Sequence, residues 1–85
     1  MDTAVEARRR SLLSSLYFAP GSTMGIHKLQ RELQTTHNTA ASADQVRGDL
    51  SWLKEQGFVL LLGDVAQLTE RGRDVALQVA PWPGQ

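Results

Sequence analysis

Hydrophobic residues recur at helical spacing through most of the chain, and this pattern predicts three helices at about residues 3–18, 26–35 and 43–56. The first two are separated by Ala19, Pro20 and Gly21, which favour a turn. The predicted core positions are Val5, Leu12, Leu13, Leu16 and Tyr17 in the first helix, Ile26, Leu29 and Leu33 in the second, and Ala43, Val46, Leu50 and Leu53 in the third.

The third helix has the clearest boundaries. Ser42 followed by Gln45 matches a capping box, in which each side chain bonds to the backbone of the other residue. Gly57 is placed to end the helix in a left-handed conformation. The residues expected on its outward face are Asp44, Arg47, Gly48, Ser51 and Glu55, with Trp52 at the flank.

A β-hairpin is predicted directly after the third helix. Residues 58–62 form a short apolar run, Gly63 and Asp64 match a two-residue turn, and residues 65–68 return. Residues 22–24 are a candidate for one further short strand.

A last helix is predicted over residues 70–79, with Thr69 as its cap. Val75, Ala76 and Val79 are expected to face inward. Gly72 is expected to weaken the first turn by about 1 kcal/mol relative to alanine.

The order of these elements, α-(β)-α-α-β-β-α, is that of a winged helix-turn-helix domain, a mostly α fold with a small β-hairpin (α+β). We expect this single domain to cover residues 1–80. Residues 81–85 contain two prolines around Trp82 and are expected to be a flexible tail.

The composition narrows the class of protein. Nine basic and nine acidic residues cancel, which argues against strong non-specific binding to nucleic acid. The absence of cysteine excludes disulfides and thiolate metal sites. The sequence shows no signal peptide and no apolar run that spans a bilayer. We therefore expect a soluble globular protein of the cytoplasm that does not bind membranes.

Polar residues on the third helix are the leading candidates for contact with double-stranded DNA. Recognition helices read bases mainly with their N-terminal half, while basic residues nearby bind phosphates. Arg47 suits guanine, and Gln45 suits adenine. The full candidate set is Ser42, Gln45, Arg47, Ser51, Lys54, Lys28 and Arg31.

The charge of the third helix leaves a second interpretation open, in which these are ordinary solvated residues. Between positions 42 and 56, two basic residues face three acidic ones, so this helix is net negative and phosphates should repel it. These residues are Arg47 and Lys54 against Asp44, Asp49 and Glu55.

Arg8, Arg9 and Arg10 form the only run of basic residues. Three consecutive positions on a helix cannot share one face. Solvated helix surface is the favoured interpretation, and the alternative is that one arginine holds a phosphate or a partner's carboxylate.

Two features indicate contacts with another protein. Residues 58–62 are apolar on both faces of the predicted strand, so one face needs a cover from the first helix or from a partner. Gly48 would allow close approach to the third helix, and Trp52 beside it either packs under the hairpin or anchors a partner. The candidate partner contacts are Gly48, Trp52, Val59 and Leu61.

Candidate catalytic and metal-binding groups are few. His27 and His37 are not spaced like a zinc site, and the chain has no phosphate-binding glycine loop. We expect no enzymatic activity, no cofactor and no metal.

Two runs of the chain resemble a family of small winged-helix proteins encoded by Mu-like bacteriophages and prophages. QVRGDLSWLKEQGFV is similar to the family pattern Q-V-R-x-D-L-x-W-L-x-E-Q-G-L-V, and LTERGRDVA is similar to L-T-x-R-G-x-D-V-A. Phe58 stands where the family has an aliphatic residue. The matching residues are Gln45, Val46, Arg47, Asp49, Leu50, Trp52, Leu53, Glu55, Gln56, Gly57 and Val59, then Leu68, Thr69, Arg71, Gly72, Asp74, Val75 and Ala76.

The resemblance implies a winged-helix fold and a phage origin. The first run is also similar to the recognition helix of ArsR-type repressors, which are dimers that bind operator DNA. Their metal-sensing sites are lacking here, so metal sensing is not implied. The leading hypothesis is a non-enzymatic DNA-binding module, a phage regulator working as a homodimer. The alternative is a protein-interaction module in phage assembly or host takeover.

Overall fold

The structure, a computed structural model, describes residues 3–84. Within them the chain is mostly helical with a small antiparallel sheet, and the order of elements is the predicted one. The elements are α1 (Thr3–Phe18), β1 (Thr23–Gly25), α2 (Ile26–Thr35), α3 (Ala43–Glu55), β2 (Val59–Leu62), β3 (Val65–Leu68) and α4 (Glu70–Ala76), with a 3-10 turn at Pro20–Ser22.

The core lies where α1, α2 and α3 meet the sheet. The apolar positions predicted for these three helices are buried except Val5, Tyr17 and Ala43, which are half-buried. Each fully buried leucine contributes about 1.5–3 kcal/mol of transfer free energy, so burial of the apolar face of each helix stabilises the packing of the three helices. The buried apolar residues of the three helices are Leu12, Leu13, Leu16, Ile26, Leu29, Leu33, Val46, Leu50 and Leu53.

Both predicted ends of α3 are confirmed. Ser42 Oγ accepts from Gln45 N at 3.0 Å, and Gln45 Oε1 accepts from Ser42 N at 2.9 Å, which completes the capping box. Gly57 has a φ of 81°, a conformation that favours glycine. The first and last residues of α3 are therefore set by residues next to them in the sequence.

The sheet has the strand order β1-β3-β2, and β2 and β3 form the predicted hairpin. Leu62 pairs with Val65 on either side of the turn. The amide of Ile26 donates to Asp64 O at 2.8 Å and so attaches this turn to the start of α2. The side chains on the inner face of the sheet are Met24, Val59, Leu61, Ala66 and Leu68.

Two strand boundaries differ from the prediction. β2 begins at Val59 because the amide of Phe58 donates to Leu53 O at 2.9 Å, which places Phe58 in the turn after α3. β1 begins at Thr23 because Ser22, with a φ of 55°, belongs to the 3-10 turn.

The start of α4 packs closely against the end of α3. Thr69 Oγ1 accepts from Gly72 N at 3.0 Å, as its predicted role as a cap requires, and donates to Gly57 O at 2.7 Å. A Cβ at Gly72 would lie 2.1 Å from Phe58 O. Gly72 is therefore a steric requirement of this contact, whatever it costs in helix propensity.

α4 ends at Ala76, and the prediction that it continues to Val79 is wrong. Gln78 has a φ of 60°, which leaves the helix, and the amides of Val79 and Ala80 both donate to Asp74 O. Val79 is consequently 75% exposed instead of facing inward. Val75 is buried as predicted.

The expected loose tail at residues 81–85 is wrong at Trp82, which is 3% exposed. Its ring centroid lies 5.6 Å from that of Trp52 and 6.2 Å from that of Phe58. The flanking prolines prevent a helix, as predicted, but they also restrict the chain and reduce the entropy lost when Trp82 packs. Gln85 lies outside the described residues.

Two separate glycine-to-alanine substitutions should change the free energy of unfolding in opposite directions. For Gly72→Ala we expect the free energy of unfolding to fall by about 3 kcal/mol or more, because the new methyl group meets backbone. A Cβ at Gly48 would meet no atom within 4 Å, so alanine there should stabilise α3 by about 1 kcal/mol. Urea unfolding followed by circular dichroism measures both, and equal effects would contradict the close contact at Gly72.

Trp82→Ala should lower the free energy of unfolding by about 3 kcal/mol, because it removes a buried indole from its contacts with two other rings. Val79→Ala is the matched control, since Val79 is exposed three residues away. Thermal unfolding measures the difference. A Trp82→Ala protein with the stability of the control would show that the C-terminal segment adds nothing to the packed domain.

Candidate nucleic-acid interface

The outward face of α3 is exposed. All seven candidate DNA contacts are exposed too, five of them on α3 or its cap and two on α2. At about 100° per residue, Arg47, Ser51 and Lys54 lie within one arc of about 60° on α3. Gly48, where a Cβ would meet no atom, lies at the edge of the outward face towards Trp52, and another backbone can approach α3 closely there.

At about 100° per residue, Gln45 lies on the opposite side of α3 from Arg47. Its Oε1 accepts from Ser42 N, and this capping bond holds the amide group against the start of α3. Bidentate contact with adenine needs both atoms of the amide. In this geometry Gln45 and Ser42 act first as the cap of α3.

Arg47 lies between α3 and the turn of the hairpin. Its guanidinium nitrogens are 3.6 Å from Asp44 Oδ1 and 3.9 Å from Asp64 Oδ1, and its side chain is 44% exposed. Such exposed ion pairs contribute about 0–1 kcal/mol. A stronger ligand, such as a base edge or a phosphate, can therefore displace both carboxylates.

The two basic candidates of α2 lie in different surroundings. Arg31 lines a shallow cleft with Ala41, immediately before α3. Lys28 instead lines a cleft with Phe18 and Ala19 at the end of α1. Arg31 is therefore the better placed of the two to act together with α3.

Asp49 points into the molecule, with a side chain that is 2% exposed. Arg8 Nε donates to Asp49 Oδ2, Arg8 Nη2 donates to Oδ1 at 3.1 Å, and Arg9 Nε donates to Oδ1 at 3.1 Å. We refer to these residues as the Arg8–Arg9–Asp49 cluster. It joins α1 to α3 through charge-assisted hydrogen bonds, the stronger kind in proteins.

The interpretation of the arginine run as solvated surface is wrong. Arg9 lies over Trp52, with 4.4 Å from its Cζ to the ring centroid, and Arg10 lies over Trp82 at 4.8 Å. Arg10 Nε is also 3.4 Å from Glu6 Oε2. All three arginines are engaged within the chain.

The cluster changes the charge of the α3 surface. With Asp49 turned inward and paired, the outward charges of α3 are two basic residues against two acidic ones, so the face is neutral instead of net negative. Sequence reasoning missed this, although a signal was present. Val46, Asp49, Leu50 and Leu53 follow the i, i+3, i+4, i+7 spacing of a buried stripe, and a buried acid requires a cation.

Two of the four predicted partner contacts are buried or turned inward. Val59 is buried and Leu61 packs against the core, because both lie on the inner face of the sheet. Trp52 is half-buried and packs against Trp82, which supports the packing interpretation. Gly48 is exposed. The apolar side chains that the hairpin exposes are Leu60, Leu62 and Val65.

The surroundings of the histidines show little catalytic potential. His37 Nε2 and Ser15 Oγ are 3.1 Å apart, but Ser15 is buried, and the described hydrogen bonds bring no carboxylate to His37. Within residues 3–84, no three side chains of histidine, aspartate or glutamate lie close enough together to hold a metal ion.

Comparison with protein-family models, with curated proteins and with solved structures found no match to this chain. In the part of the chain that the structure describes, no helix is long and apolar enough to cross a membrane. The function must therefore be argued from the geometry and charge of the exposed surfaces.

Asp49→Asn should lower the free energy of unfolding by about 3 kcal/mol, because it leaves two guanidinium groups facing a neutral amide in a partly buried site. Asp44→Asn is the control, since it also removes one acid from α3 but at an exposed position, and it should have a much smaller effect. Urea unfolding at neutral pH measures both. Similar losses in the two variants would contradict a structural role for the cluster.

Proposed function

We propose that the chain is a winged helix-turn-helix domain, with α2 and α3 as the helix-turn-helix and the β2–β3 hairpin as the wing. The order of elements, the strand order β1-β3-β2 and the direct passage from α3 into the hairpin support this assignment. The bond from Ile26 N to Asp64 O gives the wing a defined position beside α2.

We further propose that this domain is a non-enzymatic module that binds double-stranded DNA with α3 in the major groove. The observation that carries this proposal is the inward pairing of Asp49, which removes the excess negative charge that had argued against DNA. The remaining face presents Arg47, Ser51 and Lys54 together along one side of α3. The major groove is about 12 Å wide and admits a helix of this kind.

Specific contacts have to supply most of the affinity in this proposal. The α3 face is neutral, and Asp64 at the turn of the wing adds an acid, so the counterion-release contribution is small. Arg47, in the N-terminal half of α3, is the residue placed to read a base, and Arg31 is placed to bind a phosphate beside it.

The resemblance to proteins of Mu-like phages supports a more specific role, as a phage or prophage transcriptional regulator in the cytoplasm of a bacterial host. A homodimer fits that role, because two copies would read two half-sites of an operator.

A protein-interaction module is the second candidate, and one observation favours it. Leu60 and Leu62 are 52% and 63% exposed on the outer face of the hairpin, and Val65 lies beside them. Exposed apolar patches of this kind often mark protein contacts. The two candidates use different surfaces and can be separated by substitution.

The DNA hypothesis is tested by selecting ligands for the chain from a pool of random 30-base-pair duplexes. We expect enrichment at low salt and an affinity that falls as salt is raised. Arg47→Ala should weaken binding to an enriched duplex by about 1–3 kcal/mol, measured by fluorescence anisotropy.

Arg73→Ala is the matched control, because it removes the same charge from α4, where the guanidinium lies over the ring of Tyr17. Its effect on affinity should be small. Failure to enrich any duplex at low salt would reject the DNA hypothesis, and equal losses for both variants would reject base reading by Arg47.

A further inference from the structure

Arg31 differs from every other arginine that the structure describes. Each of the others lies against a carboxylate or an aromatic ring of this chain, whereas Arg31 forms no ion pair and no ring contact within residues 3–84. The engaged arginines are Arg8, Arg9, Arg10, Arg47, Arg71 and Arg73. Arg31 is exposed on α2, so its charge is open to a ligand.

His27 lies one helical turn before Arg31 and lines the same shallow cleft, together with Gln30, Gln34 and Ala41. Side chains at i and i+4 are neighbours on a helix surface, and two positive charges at this spacing destabilise the helix. His27 is exposed, and its ring has no hydrogen bond and no ion pair among the described residues. No carboxylate of residues 3–84 lines the cleft, so an anion that enters it meets only cationic and neutral groups.

The cleft is held against the start of α3. Gln30 Nε2 donates to Ala41 O at 3.0 Å, and this bond ties the loop before α3 to α2. The first turn of α2 is held in turn by the bond from Ile26 N to Asp64 O at 2.8 Å. Asp64 Oδ1 is 3.9 Å from the guanidinium of Arg47, so the start of α2 lies close to the residue placed to read a base.

We propose that this cleft binds a phosphate group, with Arg31 and the charged form of His27 as its two donors. A phosphate offers several acceptor oxygens, so both side chains can donate to it at once. In the DNA-binding role, on which this inference rests, the group is a phosphate of the duplex whose bases Arg47 contacts. Binding then takes up a proton on His27.

Proton uptake makes the affinity depend on pH. Histidine changes its charge between about pH 5 and pH 8, and only the imidazolium brings a positive charge to the phosphate, so affinity rises as pH falls through this range. The charged groups of α2 and of the elements packed beside it are Lys28, Arg31, Asp44, Arg47 and Asp64. Both acids lie against Arg47, so the phosphate is the anion left for the imidazolium.

The affinity for an enriched duplex, measured by fluorescence anisotropy from about pH 8 to about pH 5.5 at constant salt, tests the inference. The dissociation constant should fall about three- to fivefold across this range, the size of one exposed ion pair. His27→Gln should remove this dependence and leave the affinity at about pH 8 nearly unchanged.

His37→Gln is the matched control for the pH dependence. His37 Nε2 is 3.1 Å from Ser15 Oγ, and its ring lines other clefts, so this variant should keep the dependence of the unsubstituted chain. A His27→Gln protein that binds the duplex with an unchanged pH profile would overturn the proposal while leaving DNA binding intact.

Arg31→Gln should weaken binding to the same duplex and lower the slope of log affinity against log salt by about one, because one phosphate contact is lost. Lys28→Gln is its control, since it removes one charge from the same helix but at a different cleft, beside Phe18 and Ala19. Equal changes of slope in the two variants would show an effect of net charge alone and would overturn the proposal.

Inorganic phosphate separates this inference from the proposed function if the chain binds no duplex. At about pH 6 and constant ionic strength, phosphate should move the ring resonances of His27 in the NMR spectrum more than those of His37, and Arg31→Gln should abolish the movement. That result would reject DNA as the source of the phosphate and retain the cleft as a site for a free phosphate compound. Equal movement of the two histidines, or none, would overturn the site.

Discussion

The buried carboxylate of Asp49 and its two arginines are the interaction on which the exposed surface of α3 depends. A buried ionised carboxylate is stable only when it is paired and hydrogen-bonded, and α1 supplies both guanidinium groups. The pairing fixes the rotation of α3 against α1. That rotation decides which side chains face solvent, and it places Arg47 and Gly48 outward.

Arg9 of this cluster and the next residue, Arg10, connect α1 to two tryptophans. Arg9 lies over Trp52 on α3, and Arg10 lies over Trp82 in the segment after α4. Since the two indoles also pack against each other, α1, α3 and the C-terminal segment form one aromatic and cationic layer. In a chain of this size the layer extends a small hydrophobic core.

Local sequence signals predicted the fold better than the surface. The capping box at Ser42 and the glycines at 57 and 63 act within a few residues, so the bounds of α3 and the hairpin follow from them. The side of β2 that faces the core could not be predicted, because both sides are apolar. The burial of Trp82 and the partners of Asp49 depend on residues distant in sequence, although the position of Asp49 on an apolar stripe was a usable signal.

The hydrogen bond between the amide of Ile26 and the carbonyl of Asp64 has a mechanical consequence. It attaches the hairpin turn to the first residue of α2, while β1 pairs with β3 beside the turn, where Gly25 lies opposite Val65. Hinge motion of the hairpin would break this attachment to α2, and it would also separate Asp64 from Arg47 on α3, so both contacts keep the turn close to α3. A macromolecule that contacted both the turn and α3 would have to match that spacing or deform to reach it.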